Sequence, residues 1–231
     1  DLTINSSWFQ LISESIKNNK DPKVVTFSGT VLNKDGSKFE SQGLRFYYSG
    51  KAENISNGKA FDKDSFLKSK KNKNPKLIWG ASAALVVYKK ETIQKINVFD
   101  EDFFAYEEDV DLALRLHKLN YKTLYIPKAI SYHVGGGTSN KMGNFRNKMD
   151  AKNWIYLIIK NYSSKEIFKN FFPILEQRLR NLSGLIKNTS INMVFIDIFK
   201  TYFQVIKNLP KMLKKRKEIQ KLIKLANKSL T

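Results

Sequence analysis

The chain has 231 residues, with 41 Lys and Arg, 21 Asp and Glu, two His and no Cys, for a net charge of +20. The absence of cysteine excludes disulfides, thiolate metal sites and a cysteine nucleophile. A composition that is 42% hydrophobic and 13% aromatic excludes wholesale disorder. With two histidines, a metal would be held mainly by oxygen, which favours Mg2+ or Mn2+. From Ala151 to Thr231, 17 basic residues stand against 4 acidic ones (17 − 4 = +13), which leaves +7 for residues 1–150. That imbalance predicts a basic tail seeking an anionic surface, either lipid headgroups or nucleic acid. No run reaches the ~18 apolar residues of a membrane span, and no secretory signal peptide is visible. The first residue is Asp1 rather than methionine, so a fragment is expected.

In chain order, Asn5-Ser6-Ser7 before Trp8, Phe9, Leu11, Ile12 and Ile16 predicts an amphipathic helix capped by Ser6 or Ser7. Val24 to Leu32 reads as a strand. Asn33-Lys34-Asp35-Gly36 is a turn, and Phe39 to Tyr48 supplies a return strand. Ser49 to Pro75, rich in Lys, Asn, Ser and Gly, reads as a long surface loop. Leu77 to Tyr88 is short, apolar and β-branched at its end, which predicts a buried strand. Its small residues, Gly80 to Ala83, leave space for something bulky or for a closely packed element. Lys90 to Ile96 reads as a short helix. A second helix follows the acidic run at Glu107-Glu108-Asp109 and ends near Leu119, with Asn120 as its left-handed cap. Lys122 to Ile126 reads as a strand stopped by Pro127, and Gly135-Gly136-Gly137-Thr138-Ser139 as a flexible turn. From about Asn144 the spacing of apolar residues is helical, with breaks at Pro173 and Pro210. Strands with helices, followed by helices alone, predict an α/β body over 1–143 and a basic α-helical extension over 144–231.

On a helix, Asp109, Leu112, Ala113, Leu116 and Leu119 share one stripe. Asp109 therefore heads a buried face, where an unpaired carboxylate is costly. Two readings stay open at this point. Asp109 caps backbone N–H groups, or it faces a pocket and takes a proton from a hydroxyl. Asp111 falls four residues before Arg115, which predicts an ordinary surface ion pair. Glu107 and Glu108 read as a solvated helix start. His133 ends a short strand beside the glycines, where it is either structural or within reach of a diphosphate or metal. The GGGTS turn lacks the spacing of a P-loop.

Taken together, WGASAALVVYKKE and NVFDEDFFAYEEDVDLALRLHKLNYKTLYIPKAISYHVGG with the following TS resemble the C-terminal half of family 2 glycosyltransferases, the rhamnosyltransferase-like bacterial members above all. The resemblance covers about Asp1 to Ser139. It implies a partial GT-A fold, that of nucleotide-diphospho-sugar transferases, with a mixed sheet and an α-helical C-terminal extension. It implies inverting transfer of a sugar, rhamnose being the lean, from a nucleotide donor to a glycan or lipid-linked acceptor in cell-surface polysaccharide synthesis. Asp109 of the Glu108-Asp109 pair is implied as the general base. Trp79, Gly80 and Ala81 are implied as lining the acceptor and sugar side. Asp100, with its neighbours Phe99 and Glu101, matches a supporting loop, and His133 a histidine near the donor diphosphate and the metal. Asp1 aligns with the last aspartate of an aspartate-x-aspartate metal motif. The resemblance therefore places the nucleotide-binding strands upstream of this sequence and implies that the isolated chain is inactive. A divalent cation, Mg2+ or Mn2+, is implied as cofactor.

Lys211 to Lys228 carries eight basic residues and one Glu, with a partial apolar face that includes Met212, Ile219 and Leu222. Such helices lie on anionic membranes, and the expected location is the inner face of a bacterial cell membrane. The competing reading is a non-catalytic basic protein of the membrane surface or of nucleic acid. No nucleic-acid-binding motif is present, so nucleic acid is disfavoured as a partner.

Overall fold

The structure is a computed structural model and describes residues 2–134, 145–187 and 191–228. The elements are β1 (Leu2–Ile4), α1 (Trp8–Asn18), β2 (Val24–Asn33), β3 (Phe39–Ser41), β4 (Leu44–Phe46), β5 (Ala52–Asn54), α2 (Lys63–Lys68), β6 (Lys76–Ile78), β7 (Val86–Tyr88), α3 (Lys90–Lys95), α4 (Glu108–Lys118), β8 (Lys122–His133), α5 (Phe145–Asn161), α6 (Ser164–Lys169), α7 (Phe171–Lys187) and α8 (Ile191–Lys228). A 3-10 turn, Lys70–Asn72, precedes β6. The chain divides into two compact units. The first holds Asp1–Arg45, Ala52–Val98 and Leu112–Gly137, and the second Phe46–Lys51, Phe99–Asp111 and Thr138–Thr231.

The first unit is a mixed α/β sheet. β2 and β8 run parallel at its centre. β1 and β6 pair antiparallel with β8, and β3 and β7 pair antiparallel with β2. Every residue of β2 except Asn33 is buried, as a strand covered on both faces requires. On one face Trp8 and Ile12 of α1 pack with Val24, Phe27, Ile126 and Ala129. On the other, Val25 packs with Ile96 and with Leu112 and Leu116 of α4. Fully burying each such large side chain contributes about 1.5–3 kcal/mol.

Several expectations change here. Asn5, not a serine, sets the entry to α1: its Oδ1 accepts from the Ser7 N–H at 3.1 Å and the Ser7 hydroxyl at 3.0 Å. The expected return strand is split into β3 and β4, and the latter pairs with β5. The stretch read as a loop from Ser49 to Pro75 carries β5, α2 and the 3-10 turn, because Phe66 is buried and packs against Phe39 and Phe61. Leu77 to Tyr88 forms two short strands, β6 and β7, on opposite sides of the central pair. Between them Gly80 lies close to α4, and a Cβ there would meet the Ala113 Cβ at 2.7 Å. Pro127 does not stop β8. It sits where the β2–β8 register shifts, and its carbonyl accepts from the Thr30 hydroxyl at 2.7 Å. Opposite that shift a Cβ on Gly29 would sit 2.0 Å from the Ala129 carbonyl oxygen, so only glycine fits. Asn120 adopts φ +62° and closes α4 as expected.

The second unit is built on α5 and α8. Trp154, Tyr156 and Leu157 of α5 and Val205, Met212 and Ile219 of α8 are buried. α6 starts with a reciprocal cap: the Ser163 N–H donates to Glu166 Oε2 at 2.7 Å, and the Glu166 N–H to Ser163 Oγ at 3.2 Å. The chain breaks between α6 and α7 at Asn170, and Pro173 falls in the first turn of α7, where its missing N–H costs least. Pro210 is not a boundary, since α8 runs through it.

Candidate functional site

The acidic segment belongs to the second unit as far as Asp111. It is anchored by Phe103, which is fully buried with its ring edge-on to Tyr156 at 6.2 Å. Phe104, Tyr106 and Glu107 all take left-handed backbone angles, with φ of 60°, 65° and 65°. Such angles cost about 1–3 kcal/mol each in non-glycine residues and persist only where the surroundings impose them. Asn153 of α5 imposes them here. Its buried Nδ2 donates to the carbonyls of Phe103, Ala105 and Tyr106 at 2.7, 2.7 and 2.8 Å.

Four carboxylates interact here: Glu107 just before α4, Glu108 and Asp109 at its start, and Asp150 from α5. Burial pushes Glu107 well above the usual glutamate range, and the charges of Asp150, Asp109 and Glu108 add to the rise. Burial also raises Glu108, with Asp109 the next cause. Asp150 rises by burial against the partial relief of Arg146, 3.7 Å away. One oxygen each of Glu107 and Glu108 is buried with no hydrogen-bond partner among the described residues. The expectation of a solvated helix start is thus corrected for both. Asp109 is half-buried, and its Oδ1 accepts from the Val110 N–H at 2.8 Å. Leu112, Ala113 and Leu116 below it are buried, so the carboxylate heads a core-facing stripe.

The same unit holds an ion network that is buried at Lys160, Asp100 and Asp111 and open to solvent at Lys211. Lys160 Nζ lies 2.6 Å from Asp100 Oδ2 and 2.7 Å from Asp111 Oδ2. Asn161 Nδ2 donates to Asp111 Oδ1 at 2.8 Å. Lys215 reaches Asp100 and Asp102 at 2.5 Å each, and Lys211 reaches Asp102 at 2.5 Å. Burial acts to raise Asp100, yet Lys160 and Lys215 outweigh it and bring it down to about 2. The expected surface pair of Asp111 with Arg115 is corrected: both residues are buried. Arg115 caps the end of the α3 segment by donating to the carbonyls of Ile96 and Val98. Asp100 supports the loop as a buried anion.

The remaining candidates lie in the first unit. Gly80 and Ala81 are buried, and half-buried Trp79 packs its ring 5.9 Å from His117. Burial, with Lys118 nearby, lowers the pKa of His117. His133 ends β8, and its Nδ1 lies 2.6 Å from Glu40 Oε1. Asp1 and the Gly135–Ser139 turn lie outside the described residues. Among the described residues no three histidine, aspartate or glutamate side chains form a group able to hold a metal ion. With His133 facing Glu40, the described donor set does not fit the expected cation, and no chemical step is assigned to one.

Residues 46–213 match the sequence family described as glycosyl transferase family group 2. The chain belongs to that family. The matched stretch contains the acidic loop, α4, the α5 residues that hold them and Lys211 of α8, and it ends two residues before Lys215. No curated protein matches the chain. Among solved structures it is similar to one described as a crystal structure of GalNAc-T7 with UDP, GalNAc and Mn2+, at 13% identity and a TM-score of 0.48. That similarity covers 87% of this chain and 36% of that one, so the chain spans about a third of its length. The family's acidic segment was readable in the sequence; Asn153, Lys160, Asn161 and Lys215 were not singled out. The first three share a face of α5 with Leu157, at spacings of four, seven and eight residues. Polar residues on such an apolar face are the signal that would have found them.

Proposed function

We propose that the chain carries the acceptor-side machinery of an inverting GT-A glycosyltransferase. The observation that supports this reading is the family match across residues 46–213, which spans the acidic segment. Asp109 accepts the proton of an acceptor hydroxyl. The oxygen forms its bond to the anomeric carbon of the sugar, and the bond to the nucleoside diphosphate breaks with its electron pair on the leaving oxygen. Glu108, whose carboxyl is raised above the usual glutamate range by burial and by Asp109, stands beside it. Asp100 steadies the loop through Lys160 and Lys215. The family resemblance assigns Trp79, Gly80 and Ala81 to acceptor binding and His133 to the donor diphosphate. No step is routed through a divalent cation: Asp1 and His133, the residues proposed to hold Mg2+ or Mn2+, are not joined by a complete donor set among the described residues.

The donor is a nucleotide sugar, rhamnose-type in the family's lean, and the acceptor a glycan or lipid-linked hydroxyl in cell-surface polysaccharide synthesis. The working place is the inner face of a bacterial cell membrane. The body is 1–143 and the basic helical extension 144–231. The test is Asp109→Asn in the full-length protein, assayed for sugar transfer from a panel of nucleotide sugars. Loss of a positioned general base lowers the rate by about 10²–10⁴. Full activity with an intact fold refutes the assignment.

A further inference from the structure

The expected membrane contact was the basic tail from Lys211 to Lys228, but the second unit uses much of that tail internally. Met212 is fully buried and Ile219 nearly so. Lys211 and Lys215 are committed to Asp102 and Asp100. Leu213, Leu222 and Leu225 of the tail are 39%, 38% and 55% exposed, and the most exposed apolar side chains on the described helices of this unit lie elsewhere. Phe168 of α6 and Phe172 and Leu179 of α7 are 87%, 78% and 59% exposed. Phe199, Phe203 and Ile206 of α8 are 72%, 59% and 67% exposed. Their spacing, in steps of four and three residues, puts these last three on one side of the helix. Phe199 and Phe203 stack on each other in solvent, with centroids 6.4 Å apart and planes at 17°. α7 and α8 are linked where Arg178 donates to the Tyr202 hydroxyl at 3.0 Å, and Tyr202 stands next to Phe203 on α8.

Exposed lysines border these rows: Lys165 and Lys169 beside Phe168, and Lys200 and Lys207 beside the row on α8. The exposed acid on α7, Glu176, is paired with Arg180 at 2.5 Å. A second copy of the chain would bring the same basic border against itself. An anionic bilayer matches both features: aromatic rings enter the interface while lysines meet the headgroups. No described helix is long and apolar enough to cross a membrane, so the rows lie along the surface.

We propose that the exposed aromatic rows of α6–α7 and of α8 before Pro210, rather than the Lys211–Lys228 tail, are the surface by which the protein seats on an anionic lipid bilayer. This rests on the membrane partner named above and not on sugar transfer. The test is co-flotation of the full chain with vesicles of phosphatidylglycerol and phosphatidylcholine, and with phosphatidylcholine alone. Binding is expected to the mixed vesicles only. Phe168→Ser, Phe172→Ser, Phe199→Ser and Phe203→Ser combined should weaken it at least about tenfold, with an unchanged melting temperature. Lys221→Gln, Lys224→Gln and Lys228→Gln combined should weaken it much less. No binding to mixed vesicles overturns both the surface and the membrane partner. Binding lost with the tail variant but kept with the phenylalanine variant overturns the surface alone. A concentration-dependent dimer that the phenylalanine variant abolishes, with no vesicle binding, assigns the rows to a second copy instead. Each readout is independent of catalysis.

Discussion

The two compact units solve the burial of polar groups in different ways. In the first, the buried polar groups at the centre of the sheet are neutral, and the buried guanidinium of Arg115 on α4 donates to the backbone carbonyls of Ile96 and Val98. The Thr30 hydroxyl and the Tyr125 hydroxyl lie 2.6 Å apart, and Gln42 Nε2 donates to the latter at 2.9 Å. Burial pushes the Tyr125 phenol up to about 12, so it stays neutral. In the second, the interior holds full charges, Lys160 against Asp100 and Asp111. A neutral hydrogen bond contributes about 0.5–1.5 kcal/mol net. A buried ion pair adds little by itself, yet losing one partner costs about 3–5 kcal/mol because the other charge is stranded. The second unit is therefore the one whose geometry a single substitution can collapse, and it is the one that carries the acidic loop.

The widest separation of the two units comes from Lys160→Met. It should destabilise the protein by about 3–5 kcal/mol near neutral pH, measured by urea denaturation. The Asp100 part of that penalty depends on pH. Its folded pKa of about 2 lies below the ordinary value of 3.8. The stabilisation from its partners is therefore complete above about 3.8 and lost as pH falls through 2. The difference between wild type and Lys160→Met should shrink over that window. Loss of the same stability at every pH would mean that Lys160 acts by packing alone.

In the first unit, Thr30→Val should cost about 1–3 kcal/mol, because it leaves the Pro127 carbonyl and the Tyr125 hydroxyl each one partner short. A penalty as large as that of Lys160→Met would erase the contrast.

The smallest effect has the opposite sign. Glu107 has a folded pKa raised above 4.5, so its carboxyl favours the fold below 4.5 and opposes it as pH rises through the folded value. Glu107→Gln should therefore raise the melting temperature at pH 8 and leave it nearly unchanged at pH 4. A loss of stability at pH 8 would show that the buried carboxylate is compensated.

The same contrast decides what could be read from residue order. Apolar periodicity exposed the α4 stripe from Leu112 to Leu116, the α1 face through Trp8 and Ile12, and the Asn120 cap, because local spacing alone dictates each. It missed β8 running through Pro127, because the tolerance comes from a register shift against β2. It missed α8 running through Pro210, because tertiary packing of Val205 and Met212 on either side overrides the local preference. It took Asp111 and Arg115 for a solvated pair, since the four-residue spacing of a surface ion pair is also available to two buried residues. The acidic loop was visible as composition. Its hold by Asn153 and Lys160, some fifty residues downstream, shows locally only as polar residues on the apolar face of α5, and their partners have no local signature.

Steady-state sugar transfer by the full-length protein and by its Asp109→Asn variant, with the melting temperature of each recorded alongside, bears on the chemistry itself. A fall in kcat of about 10²–10⁴ with an unchanged melting temperature is the predicted result. Undiminished turnover by the variant would show that the carboxylate at the head of α4 only caps its helix, and that the proton leaves the acceptor by another route.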